Sequence, residues 1–163
     1  MPTAQGYSRL HIALHWLVVA LIVPQFLFNE TIAEAFDATL EGRVADPGVL
    51  GPLHVLCGMA IAIAVVWRIA LRVKNGVPEA PAAESAVQKM IATGTHLGLY
   101  LVLLLTAATG SVAWFGGVET AGDVHEAMTT VLLILVGLHV AGALYQQFVL
   151  KTNIMDRMRT PRV

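Results

Sequence analysis

The chain has 163 residues, 56% of them hydrophobic and 13% charged, with a mean hydropathy of +0.70 and a formal net charge of -1. A typical soluble domain carries about twice that charged share, and a chain this short leaves about a third of its extended surface exposed on folding. A water-facing globule is thereby excluded and lipid is the expected solvent; no nucleic-acid partner is expected, and Cys57, the single cysteine, excludes an internal disulfide and a four-cysteine zinc site.

The first apolar segment runs from about Leu10 to Phe28, preceded by Arg9 and containing His11, His15 and Pro24, which is expected to kink its far end. About 20 helical residues cross a hydrocarbon core of roughly 30 Å, so this segment spans it. The loop that follows holds Glu30, Glu34, Asp37, Glu41 and Asp46 against Arg43 alone. Ala33-Glu34-Ala35 has the small-x-small form of a signal cleavage site, but the apolar stretch before it is longer than a usual signal core and carries two histidines. A retained span is the expectation.

The second segment, Leu50 to Leu71, has Pro52 near its start, where a missing N–H is harmless. His54, Cys57 and Gly58 lie in its first half, and Arg68 and Arg72 sit one turn apart at its end. A polar loop with Lys74, Pro78, Pro81 and Lys89 leads to the third segment, Ile91 to Phe115, with His96 near its start. A short connection carrying Glu119 and Asp123 leads to the fourth, Val124 to Leu150, which bears His125, Glu126, Gly137, His139 and Gly142. Lys151, Arg157, Arg159 and Arg162 follow it.

Within lipid every backbone amide needs a partner, and the period-two alternation of barrel strands is absent, so all four segments are helices. The fold class is an all-α integral membrane protein, a four-transmembrane-helix bundle forming one domain over residues 1–163. Nine of the ten basic residues fall on one side of these spans and eight acidic residues on the other. By the positive-inside rule both termini are cytoplasmic.

Six histidines in so apolar a chain are its most informative feature, because ionisable groups within spans are costly and mark function by default. His54 and His125 lie near the outer ends of spans two and four. His15, His96 and His139 lie in the inner halves of spans one, three and four, and His11 at the inner surface. From His125 to His139 is 14 residues, about 21 Å of rise and about 40° short of four full turns, so both rings face one way at two depths. One metal ion cannot use ligands that far apart; two stacked cofactors can. His54 is at the right depth to complete the outer site, and His15 the inner one.

Two imidazoles on opposite faces of a planar macrocycle must come from facing helices, which these pairs do, so bis-histidine haem fits. With no C-x-x-C-H the haem is non-covalent, of type b. His11 and His15, one turn apart, offer a zinc or copper alternative with no visible third ligand. For His96 two readings stand: a site residue, or a histidine that hydrogen-bonds a neighbouring helix for about 1 kcal/mol. Arg68 and Arg72 either hold haem propionates or snorkel to lipid headgroups, and His11 reads as an interfacial residue or a propionate partner rather than a ligand. Gly58, Gly137 and Gly142 either open room for a cofactor or let helices pack closely, and Trp16, Trp67 and Trp114 read as interfacial belt residues.

The run Tyr7-Ser8-Arg9-Leu10-His11-Ile12-Ala13-Leu14-His15-Trp16, the segment Leu53-His54-Val55-Leu56-Cys57-Gly58, and His125-Glu126 with Gly137-Leu138-His139 resemble the prokaryotic cytochrome b561 family over nearly the whole chain. His11 departs from the family, which commonly has glutamine near that position. The resemblance implies a four-helix membrane electron carrier of the bacterial inner (cytoplasmic) membrane with two b haems per chain, His15 and His139 ligating the cytoplasmic one and His54 and His125 the periplasmic one. It also implies ubiquinone as the lipid-soluble partner.

An iron with both axial positions filled exchanges electrons rather than activating oxygen or water. Three functions follow as expectations: a carrier between ubiquinone or ubiquinol and a periplasmic donor or acceptor, a membrane-anchor subunit of a larger dehydrogenase, reductase or hydrogenase, or a non-redox metal-binding scaffold. Family members are credited with oxidising superoxide and reducing ubiquinone. The acidic outer side here suits a cationic partner better than that anion.

Overall fold

A computed structural model describes residues 6–43 and 46–161, and Arg162 of the basic tail lies outside them. Among the described residues there are five α-helices and no strand: α1 (Arg9–Leu27), α2 (Asn29–Leu40), α3 (Leu50–Asn75), α4 (Ala86–Gly116) and α5 (Glu119–Leu144). A π-helical turn, Tyr145–Val149, continues α5, and a short 3-10 helix covers Ile154–Met158. With that extension α5 joins α1, α3 and α4 as helices long and apolar enough to cross a membrane.

Helix ends follow local chemistry rather than hydropathy. Ser8 caps α1 by accepting the His11 backbone N–H at 3.3 Å. The helix runs on through Pro24 to Leu27, and the Phe28 N–H closes it on the Pro24 carbonyl at 3.2 Å. Ser85 and Gln88 form a reciprocal capping box that starts α4 in the polar loop, several residues before the apolar stretch begins. Gly117 ends α4 in the left-handed region at φ 61°, where glycine alone carries no Cβ penalty, and Gly117 and Val118 are the whole connection to α5. So short a link makes α4 and α5 antiparallel neighbours.

The expected acidic loop after the first span is largely α2, which is amphipathic. Its Ile32, Ala35 and Ala38, spaced three apart, are buried, while its acidic residues face out. A Cβ on Gly122, near the start of α5, would lie 2.7 Å from the Phe36 ring, so α2 lies close over this end of the bundle.

Each of the four long helices contributes to one core: Leu14 and Val18 from α1, Ile61, Ala64 and Val65 from α3, Val102 and Leu103 from α4, and Leu132 from α5. Outward faces are apolar too, with Val23 54%, Ile63 63%, Leu101 59% and Ile134 60% exposed. A contiguous apolar exterior on this scale is the surface of a lipid-solvated bundle. At one end the Trp16 indole N–H donates to the Met158 carbonyl at 2.8 Å, and the Arg157 guanidinium to the Glu79 carbonyl at 2.7 Å. The tail is thus tied both to α1 and to the α3–α4 loop, and the described basic residues other than Arg43 gather at this end. Glu30, Glu34, Asp37, Glu119, Asp123 and Glu126 lie at the other, where Arg43 is paired with Glu41 on the surface.

Candidate functional site

The helices bring four of the six histidines together in pairs. At the acidic end His54 of α3 faces His125 of α5 with ring centroids 6.1 Å apart and planes at 71°. At the basic end His15 of α1 faces His139 of α5 at 6.2 Å and 69°. Metal–imidazole bonds of about 2.0 Å, with each nitrogen about 1.1 Å from its ring centre, put the centroids of two trans imidazoles on one iron about 6.2 Å apart. Both pairs have that spacing, so the residues fit the group the sequence suggests.

The His125 ring is also held in orientation. Its Nδ1 is 2.8 Å from the Thr106 carbonyl on α4, and a carbonyl only accepts, so Nδ1 is the donor and Nε2 is the ring nitrogen left free to meet a metal. That approach requires Gly110: a Cβ there would meet the His125 ring at 2.7 and 2.8 Å. His54 is set from α1, whose Gln25 amide donates to the His54 carbonyl at 3.0 Å across Gly58. Gln25, Ile32, His54 and Cys57 line a small cavity between α1, α2 and α3.

At the basic end two further imidazoles surround the pair. His96 of α4 lies 5.0 Å from His139, edge-on at 84°, which is too close for an iron between them. Its Nδ1 bonds the Ala92 carbonyl of its own helix at 2.6 Å, so the expected bond to a neighbouring helix is not made: it is made within α4. His11 is 3% exposed, with the Tyr7 ring against it at 4.7 Å and tilted by 36°, so its side chain is packed within the protein. Among the described residues no cluster of three or more metal-binding side chains supports the zinc or copper alternative for His11 and His15.

Arg68 is the electrostatic anomaly. It is 7% exposed, and its Nη1 is buried without a hydrogen-bond partner. A buried guanidinium left partly unpaired is costly, and an anion such as a haem propionate held beside His15 and His139 would complete it. Arg72, one turn on, is half-buried at the same end. The residues that sequence reasoning missed are Thr106, Gly110 and Gln25. A backbone acceptor leaves no mark in sequence, and Gly110 is one of fourteen glycines.

A multi-pass helical bundle with a histidine pair near each end is the architecture of a membrane b-type cytochrome. The family described as prokaryotic cytochrome b561 matches residues 6–161, and the chain belongs to it. A protein named cytochrome b562 from Cereibacter sphaeroides is 36% identical over 162 residues, covering 99% of this chain and 100% of that one. A protein named probable superoxide oxidase CybB from Yersinia pestis is 24% identical over 177 residues, covering 93% and 94%. The protein is therefore a membrane electron carrier of this family, and membership implies haem b as its cofactor.

Proposed function

We propose that the chain binds two b haems, His15 and His139 ligating one at the basic end and His54 and His125 the other at the acidic end. The whole chain then acts as one domain that carries electrons between ubiquinone or ubiquinol and a periplasmic redox partner. The observation that carries this reading is the centroid spacing of 6.2 and 6.1 Å at two levels of one bundle. Bound haem supplies one-electron redox chemistry. The chain's own part is to hold the four imidazoles, to orient the His125 ring through Thr106, and to exclude water with the Val18–Ile61–Leu132 core between the levels. Arg68, with Arg72, holds the carboxylates of the cofactor at the basic end.

The positive-inside rule puts the basic end in the cytoplasm and the acidic end in the periplasm, in a bacterial inner membrane. There the pairing of Arg43 with Glu41 further weakens the only cation among the eight acidic groups. Such a surface gathers a cationic carrier and repels superoxide, so the activity named for the Yersinia pestis relative demands local geometry that overrides this field. His54→Ala and His15→Ala test the proposal in reduced-minus-oxidised spectra. Each is expected to remove one of two spectrally distinct haems and leave the other. Loss of neither, or of the inner haem on replacing His96 but not His15, overturns the assignment.

A further inference from the structure

Helix α4 donates no ligand in this scheme, yet it touches both pairs, and it treats them differently. Fourteen residues separate His125 from His139 on α5, and fourteen separate His96 from Gly110 on α4. The helices are antiparallel, with Gly110 against His125 and His96 against His139, so His96 holds at the basic level the place that Gly110 holds at the acidic level. The same spacing relates Ala92 to Thr106. At the acidic level the Thr106 carbonyl accepts the His125 Nδ1 proton at 2.8 Å over a glycine. At the basic level the matching Ala92 carbonyl is taken by His96 at 2.6 Å, and no described residue hydrogen-bonds the His139 ring.

We propose that Gly110 and His96 are positioning residues through which α4 sets the two haems' reduction potentials apart, granting His125 a backbone acceptor and withholding the equivalent one from His139. The inference rests on the ligand assignment above. A ligand imidazole that donates its second N–H to a carbonyl is a more basic ligand, which favours the oxidised iron and lowers the potential. His139, without that bond, is the less basic of the two α5 imidazoles. The difference is written in α4 and not in the ligands themselves.

Redox titration of the purified holoprotein, following each haem by its visible and low-temperature EPR bands, tests this with three variants. Gly110→Ala puts a Cβ against His125, and the acidic-level midpoint is expected to move positive while the other stays. His96→Gly vacates the Ala92 carbonyl and the space before it, and the basic-level midpoint is expected to move negative. His96→Ala removes the same imidazole but keeps a Cβ where Gly110 has none, so its basic-level midpoint should lie above that of His96→Gly. Equal basic-level midpoints in the two His96 variants, with both haems bound, overturn the inference and leave the ligand assignment standing. Should Gly110→Ala fail to assemble, the His96 pair decides alone. Loss of the basic-level haem in both His96 variants overturns the inference, and if His15→Ala retains that haem it makes His96 a ligand and overturns the assignment as well.

Discussion

The rings of His15 and His139 stand 6.2 Å apart at the basic end of the bundle, although one belongs to the first long helix and the other to the last. Nothing local brings them together. The buried Leu14 beside His15 and the shared core of α1, α3, α4 and α5 fix the depth of both helices, and a one-turn slip of either would carry its ring about 5.4 Å along the axis and break the pair.

Arg68 is predicted to matter through its charge. Arg68→Leu should weaken retention of the basic-level haem by about 10-fold, the lower end of what loss of a supporting partner costs a metal site. Arg68→Lys, which keeps the cation but not the fork, should fall between. Haem loss to apomyoglobin, followed by absorbance, measures this. Equal retention by wild type and Arg68→Leu would show that the orphaned Nη1 serves some other anion.

Trp16 is predicted to hold the tail. Trp16→Phe keeps the ring and deletes the indole N–H that donates to the Met158 carbonyl, a loss of about 1 kcal/mol. Trypsin should then cut at Arg157 and Arg159 faster than in wild type, while the haem spectrum stays unchanged. Unaltered cleavage rates would mean that the Arg157 bond to Glu79 anchors the tail by itself.

Before the first helix, Tyr7 packs against His11, and burial pushes its phenol above the ordinary value of 10.0 although Arg72 nearby pulls it down. A raised pKa means that the folded protein holds this proton more tightly than the unfolded chain does. Tyr7 therefore stabilises the fold below pH 10, and that contribution is lost as pH rises through the folded pKa. Thermal denaturation between pH 9 and 11 should show a steeper alkaline decline for wild type than for Tyr7→Phe. Parallel curves would refute the shift.

Hydropathy located the four spans, because lipid demands about 20 apolar residues wherever the chain crosses. The helices run past those apolar stretches: α3 continues to Asn75, and α4 begins at Ala86, where a capping box rather than apolarity decides. The amphipathic α2 escaped notice because its buried face consists of Ile32 and two alanines among acidic neighbours. Depth and helical phase sufficed to match His54 with His125 and His15 with His139. They were silent on what steers each ring, since the Thr106 and Ala92 carbonyls belong to the backbone and only the packing of α4 on α5 reveals them. His11 looked interfacial by position, yet Tyr7 folds over it.

One haem at each of two levels is what the two histidine pairs of this bundle are proposed to clamp. Haem per chain in the purified protein, measured as pyridine haemochromogen against amino-acid analysis after expression with ample haem supply, tests it most directly. The account predicts two; a value of one, or a colourless protein, would contradict it.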